Sequence, residues 1–439
     1  MSNSITNEVG EVNEPSEEMP TESLSNQTSL NAQPQLSSSF SFNKGQKIKN
    51  RLFKSAMSEQ LGSIDHAPTS GLITLYKRWA DGGIGLSMTG NIMIDREALG
   101  EPKNVVLDKH SDLAVFKEWA KAGANNGAHI WTQLNHPGKQ IPSYLCKEPV
   151  SPSAISLSGG LEKGFNTPRA LTEDEINDII GKFALSAKLS KEAGFTGVQI
   201  HGAHGYLVSQ FLSPLHNQRD DQWGGTLENR MRFILAVYHA IRAEVGERFP
   251  IGIKLNSADF MKGGFTEEDS MEVVKALANA GIDLIEISGG TYESPSMVGH
   301  KVKTSTLKRE AYFLDYIEKV RKLVDTPLVL TGGFRSAQAM QAALDSGATD
   351  FIGLARTLAV DPDFPNKLFA NSQHKQQLRI LTTGIKAIDK IAMLNIVWYE
   401  FQLARMANNK MPKRNLSEWY VFIKTMIDAG RYAFRKRRA

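Results

Sequence analysis

The chain has 439 residues, 41% hydrophobic and 22% charged, with a formal net charge of +4 and a single cysteine, Cys146. This composition excludes a disulfide scaffold and a Cys-ligated iron–sulfur cluster, and it gives nucleic acid no strong electrostatic hold. No apolar run approaches the ~20 residues of a membrane span, and one cysteine suits a reducing compartment, so the expected location is cytoplasmic.

Residues 1–44 are dominated by Ser, Asn, Glu, Thr, Gln and Pro, without an apolar period. Such a segment cannot bury enough apolar surface to offset its ordering entropy, so a disordered tail is expected. It lacks the basic start and apolar stretch of a secretory signal.

From residue 45 to about 370, short apolar β-rich runs alternate with amphipathic helical stretches. The expected strands are Arg51–Ala56, Gly83–Met88, Ala128–Leu134, Thr196–His201, Pro250–Asn256, Leu284–Ser288, Pro327–Leu330 and Asp350–Gly353. Helical patterns fall between them at Ser111–Ala124, Glu173–Ala193, Leu227–Val245, Glu267–Ala280, Lys308–Val324 and Ala337–Ser346. Continuous apolar runs of this length read as strands buried on both faces of a parallel sheet. Eight such units predict an α/β chain forming a (β/α)₈ TIM barrel. The competing doubly wound dinucleotide fold needs an early G-x-G-x-x-G, and none follows the first strand.

Residues 371–439 read as a C-terminal helical extension. Trp398, Tyr399, Phe401 and Leu403 are expected to pack on the outer helices or on a neighbouring subunit, which leaves a homo-oligomer open. The basic end, Arg431–Ala439, reads as a solvated helix terminus.

A barrel of this kind carries its chemistry at the carboxyl ends of its strands. Polar residues gather there: Ser58 after the first strand, Gln133 and His136 on the third, His201, His204 and Tyr206 on the fourth, Lys254 on the fifth. Gly332, Gly333 and Arg335 follow the seventh strand, and Ala355 and Arg356 the eighth. Glycines with arginines in the last two units suit a phosphate, because exposed N–H groups and a guanidinium fork can both reach its oxygens. A phosphate-bearing cofactor or substrate is expected. His201-x-x-His204 as a metal pair would need a third ligand, and the nearest, His216, lies beyond Pro214, so no metal is expected. Two imidazole donors beside a phenol suit an oxyanion and a proton delivery. The long loop 140–170 reads as a lid, with Tyr144 a candidate substrate contact.

The run from His201 to Arg230, with Asn217, Arg219, Gly224 and Gly225, closely resembles the hallmark stretch of the Old Yellow Enzyme family of FMN-dependent oxidoreductases. The resemblance extends from about Lys44 to Phe369. It implies an FMN across the barrel mouth, over Ala56 and Met57, with Ser58 near the flavin O4 and N5 and Asn91 in the turn after the second strand. Gln133 would meet the pyrimidine edge and Lys254 the N1–O2 side, its positive charge favouring the reduced anionic flavin. Gly332, Gly333, Arg335, Ala355 and Arg356 would hold the phosphate. NADH or NADPH would supply hydride. His201 and His204 would bind the carbonyl oxygen of an activated alkene, a small-molecule substrate, with Tyr206 as proton donor. Two alternatives stay open at this stage: an oxidase or demethylase on the same flavin barrel, and a flavin-holding sensor with weak turnover.

Overall fold

A computed structural model describes residues 35–294, 310–385, 388–389 and 393–436. The tail 1–34, the segments 295–309, 386–387 and 390–392, and the last three residues lie outside that description, and with them most of the expected tail and the start of the Lys308–Val324 helix.

Eight parallel strands close into a barrel: Leu52–Lys54, Leu86–Met93, His129–Asn135, Gly197–Gly202, Ile251–Asn256, Leu284–Ser288, Leu328–Thr331 and Phe351–Leu354. The eighth pairs with the first, Ile352 opposite Leu52 and Gly353 opposite Phe53, and the first pairs with the second. The second strand runs on to Met93, past the expected end at Met88. Its register against the third strand shifts between Met88 and Asn91, so a local irregularity carries the strand through what reads as a turn. Helices lie between the strands at Ser70–Asp81, Leu113–Gly123, Glu173–Glu192, Leu227–Val245, Glu267–Ala280, Leu314–Arg321 and Ala337–Asp345. The first turn of Glu173–Glu192 is fixed by a reciprocal cap: Thr172 accepts the Glu175 N–H, and the Glu175 carboxylate accepts the Thr172 N–H. None of the described helices is long and apolar enough to cross a membrane.

Inside the barrel, side chains stack in layers because every second residue of a strand points inward. The bottom layer is apolar, with Phe53, Leu86, Trp131, Leu284, Val329 and Phe351 clustered together. Trp131 fits because its neighbours Gly197 and Gly252 have no side chain, and a Cβ at Gly197 would collide with the indole. Two residues further along, six of the eight strands turn polar, with Ser55, Gln133, Gln199, Lys254, Glu286 and Thr331, while the second and eighth place Met88 and Gly353 there. Above it lie His201, Asn256 and Ser288, at the mouth.

Residues 35–44 depart from the expected disordered tail. Phe40–Ser41 pairs antiparallel with Lys47–Ile48 and closes the bottom of the barrel. Phe42 is buried against Trp131, ring centroids 5.6 Å apart, and Phe40 meets Phe351 at 4.8 Å. The apolar bottom layer needs cover, and two phenylalanines in a polar segment supply it. From Gln35 onward the chain forms one compact unit.

The C-terminal segment docks on the barrel at its rim. Helix Leu394–Ala407 packs on Ser70–Asp81 and on the short helix Arg356–Val360, with Leu403 and Met406 fully buried. The Trp398 indole N–H donates to the Leu416 carbonyl at 3.0 Å, which ties this helix to the segment leading into Glu418–Lys436.

Candidate active site

A cavity of about 650 Å³ opens at the carboxyl ends of the strands. Its wall includes Ala56, Met57, Ser58, Asn91, Gln133, His201, His204, Tyr206, Lys254, Gly332, Gly333, Ala355 and Arg356. Arg335 is not on that wall. Its N–H donates to the Glu310 carboxylate at 2.8 Å, its guanidinium Nε lies 3.5 Å from the same group, and Ser336 donates to it as well. The N-terminus of helix Ala337–Asp345 is therefore already answered by a carboxylate, an anion a sequence pattern does not place there.

The fourth strand delivers the histidines. His201 ends its inward-facing row, and its Nδ1 accepts the Ala203 N–H at 3.3 Å. In a neutral ring this leaves the proton on Nε2, as a donor. His204 sits at φ 62°, a conformation costly for a non-glycine residue and held only where neighbours enforce it. Here Asn256 Oδ1 accepts its N–H at 3.2 Å and Gln140 Nε2 donates to its carbonyl at 3.1 Å. Its Nε2 lies 2.7 Å from Ser288 Oγ. Burial pulls both imidazoles well below their ordinary pKa. For His201 the neighbouring His204 and Lys254 add to this, and for His204 Lys254 does. Both rings are neutral at pH 7.

Tyr206 caps the helix Leu207–Leu212, its ring edge-on to His201 at 4.8 Å. Its hydroxyl lies 2.9 Å from that of Tyr292, and the Asn91 side chain hydrogen-bonds it too. Burial, followed by the Glu101 charge, raises its pKa and keeps it protonated. The hallmark residues downstream are structural: Asn217 Nδ2 donates to the carbonyls of Phe211 and Trp223, at 2.8 and 2.7 Å, and closes the fourth loop.

Beneath the mouth the polar layer is continuous. Gln133 Nε2 donates to Gln199 Oε1 at 2.7 Å, and Gln199 Nε2 to Glu286 at 2.9 Å. Thr331 donates to Glu286 at 2.8 Å, and Lys254 pairs with it at 3.1 Å. Lys254 is thus a neutralised cation, and the positive field expected of it is reduced. Ser58 also differs from expectation, since its hydroxyl lies between the carboxyls of Glu101 and Glu400. Gln199, Glu286, Tyr292, Glu101 and Glu400 were not singled out by sequence. Glu286 had a visible signal, a charge in the middle of the buried run Leu284–Ser288.

Residues 40–375 match the NADH:flavin oxidoreductase / NADH oxidase family. The chain belongs to that family. It is 37% identical over 356 residues to the NADH-dependent flavin oxidoreductase iliE of Hypocrea jecorina, covering 75% of this chain and 88% of that protein. It is 32% identical over 327 residues to the cinnamate reductase of Clostridium sporogenes, covering 69% of this chain and 48% of that one. Among solved structures, the Old Yellow Enzyme homologue from Zymomonas mobilis superposes with a TM-score of 0.67 at 26% identity, covering 79% of this chain and 95% of that one. The chain is an FMN-dependent NADH:flavin oxidoreductase of the Old Yellow Enzyme family.

The residues present suit the flavin. Gly333, at φ 82°, turns the backbone tightly against the Tyr312 ring, where a Cβ would clash, and leaves main chain facing the cavity beside Arg356. Asn91 Oδ1 is a buried acceptor without a hydrogen-bond partner among the described residues.

Proposed function

We propose that the enzyme reduces the C=C bond of α,β-unsaturated carbonyl compounds with electrons from NADH or NADPH. The observation that carries this reading is the meeting of two neutral imidazoles, His201 and His204, with a protonated phenol, Tyr206, on one wall of the cavity. Bound FMN supplies hydride transfer, from the nicotinamide to the alkene β-carbon.

His201, through Nε2–H, and His204 hold the substrate carbonyl oxygen. Negative charge grows on that oxygen during reduction, so fixed donors there bind the transition state more tightly than the ground state. Tyr206 donates its proton to the α-carbon, while Tyr292 and Asn91 keep its hydroxyl aimed. Ala56, Met57, Asn91, Gln133 and Lys254 would hold the ring system, and Gly332, Gly333, Ala355 and Arg356 the phosphate. Ser58, held by the Glu101 and Glu400 carboxyls, would lie at the edge of the ring system. Arg335, engaged by Glu310, is left out of the phosphate set. The name cinnamate reductase, borne by one relative, adds support for alkene reduction. Tyr144 and Phe165, from the loop 140–170, line the outer cavity and would meet the substrate's far side.

The test is an anaerobic absorbance series on the purified protein. NADPH or NADH should bleach the flavin bands, and 2-cyclohexenone should restore them. Bleaching without recovery on any enone would overturn the alkene reading and leave an NADH:flavin oxidoreductase with another acceptor.

A further inference from the structure

The family match ends at residue 375, yet part of the cavity wall comes from beyond it, from the helix Leu394–Ala407. On that helix Glu400 is buried, and its Oε1 lies 2.5 Å from Ser58 Oγ. Glu101 Oε1 lies 2.5 Å from the same hydroxyl. A serine hydroxyl carries one proton and can donate to only one of these carboxyls. The second short contact needs a proton from the acid itself. The Glu101–Ser58–Glu400 trio therefore holds at least one acid proton, and at most one of its two carboxyls is ionised.

Its other hydrogen-bond partners among the described residues are neutral. Gln60 Nε2 donates to Glu400 Oε2 at 2.9 Å, and Asn104 Nδ2 to Glu101 Oε2 at 3.2 Å. Among the described residues, the cations on the cavity wall are placed elsewhere: Lys254 is paired with Glu286, Lys103 is exposed, and Arg356 belongs to the phosphate corner. Burial followed by the Glu400 charge raises Glu101 to about 8, and burial raises Glu400. The trio and the reacting side share one cavity: Glu101, Ser58 and Glu400 line it together with Tyr206 and Tyr292, whose pKa values burial raises first, with the Glu101 charge adding to both.

We propose that Glu400, acting with Glu101 through Ser58, makes this site select uncharged carbonyl-activated alkenes over α,β-unsaturated carboxylates. The proposal rests on the alkene-reduction reading for its substrates. An uncharged carbonyl compound meets a wall that can donate one O–H. A carboxylate meets a like charge that no cation among the described residues pairs with, held in a protein wall where charges are screened less than in bulk water. The selecting residue comes from the extension, so barrels matched only over residues 40–375 do not share it by virtue of that match.

Cinnamaldehyde and cinnamate share one skeleton and differ in this charge. With the full-length FMN-loaded enzyme at pH 7, kcat/KM for the aldehyde should exceed that for the acid by about 100-fold or more. In E101Q/E400Q, which removes both carboxyls, the acid-to-aldehyde ratio should rise about tenfold, whereas E400Q or E101Q alone keeps one ionisable carboxyl on Ser58 and should move it much less. Calorimetric titration with benzamide and benzoate gives a readout without turnover: benzoate should gain affinity relative to benzamide in E101Q/E400Q. Equal use of acid and aldehyde by the wild type, or a ratio and a benzoate affinity both unmoved in folded, FMN-loaded E101Q/E400Q, would overturn the proposal. If neither alkene is turned over, the alkene reading falls, and the benzoate–benzamide comparison still decides whether the two glutamates exclude anions.

Discussion

The Lys254 ammonium lies 3.1 Å from the Glu286 carboxylate, with 5% and none of their side-chain surfaces exposed. Glu286 also receives Gln199 and Thr331, so its charge is fully answered and the pair is close to neutral as a unit. Breaking a buried pair leaves an uncompensated charge, and removing one partner costs on the order of 3 kcal/mol. E286Q should lower thermal stability by about that amount. It should also raise the reduction potential of bound FMN, because Lys254 would act as a free cation beside the flavin. A dye-equilibrated redox titration checks the second effect, and an unchanged potential would place Lys254 away from the ring.

Y206F should leave reduction by NADPH intact and slow the alkene step about 10²- to 10⁴-fold, the usual contribution of a positioned proton donor. Stopped-flow absorbance separates the two half-reactions. If both proceed at wild-type rates, the proton reaches the α-carbon from another group, and Tyr292, 2.9 Å from Tyr206, is the first to test.

The eight strands were legible because strands buried on both faces are apolar end to end, as in Leu284–Ser288 and Ile251–Asn256. His201, His204 and Tyr206 were legible because they cluster at one strand end. What stayed hidden depends on closure of the chain in space. Glu286 and Gln199 could be assigned to the interior only once the barrel sets which face of each strand points inward. Glu400 stands 342 positions from Ser58, inside the run Trp-Tyr-Glu-Phe, where a helical aromatic pattern reads as packing alone. Phe40 and Phe42 were masked by their polar surroundings, although the barrel floor needs them.

The histidines give a pH prediction of definite sign. His136 and His216, drawn down to about 4 chiefly by burial, stay neutral in the fold while an unfolded chain protonates them below about 6.5. Between about pH 6.5 and 4 the unfolded state therefore binds more protons, and these residues make stability fall as the pH falls through that window. His201 and His204 act in the same direction. Glu101 and Glu400, raised in the fold chiefly by burial, act in the opposite direction over the same window, so the histidine contribution is read as a difference: in urea unfolding at pH 7, 6 and 5, H136Q, if it folds, should lose less stability than the parent as the pH falls. Since both active-site rings are neutral throughout, alkene reduction should show no inflection near pH 6.5 from their titration.

Arg356 tests the phosphate corner. R356A should weaken binding of FMN about tenfold or more, because a charge-assisted contact to phosphate is lost. Riboflavin, which has no phosphate, should bind the variant and the parent alike. Fluorescence titration of apo-protein with each flavin makes the comparison. A parallel loss for riboflavin would mean that Arg356 supports the ring site through packing, next to Tyr399, and not through the phosphate.

Leu403 links the extension's stability to the active site. It is fully buried on the helix Leu394–Ala407, whose other side chains Tyr399 and Glu400 line the cavity. L403A should cost about 2–5 kcal/mol, the range for a leucine truncated in a packed core. If the extension unfolds together with the barrel, the whole loss appears in one thermal transition, and FMN leaves in the same step. If the extension is a separate cooperative unit, L403A should make it susceptible to trypsin at temperatures where the barrel still resists. In that case alkene turnover should fall before the flavin is released, because the wall carrying Glu400 opens while the phosphate corner at Gly332, Gly333 and Arg356 stays formed.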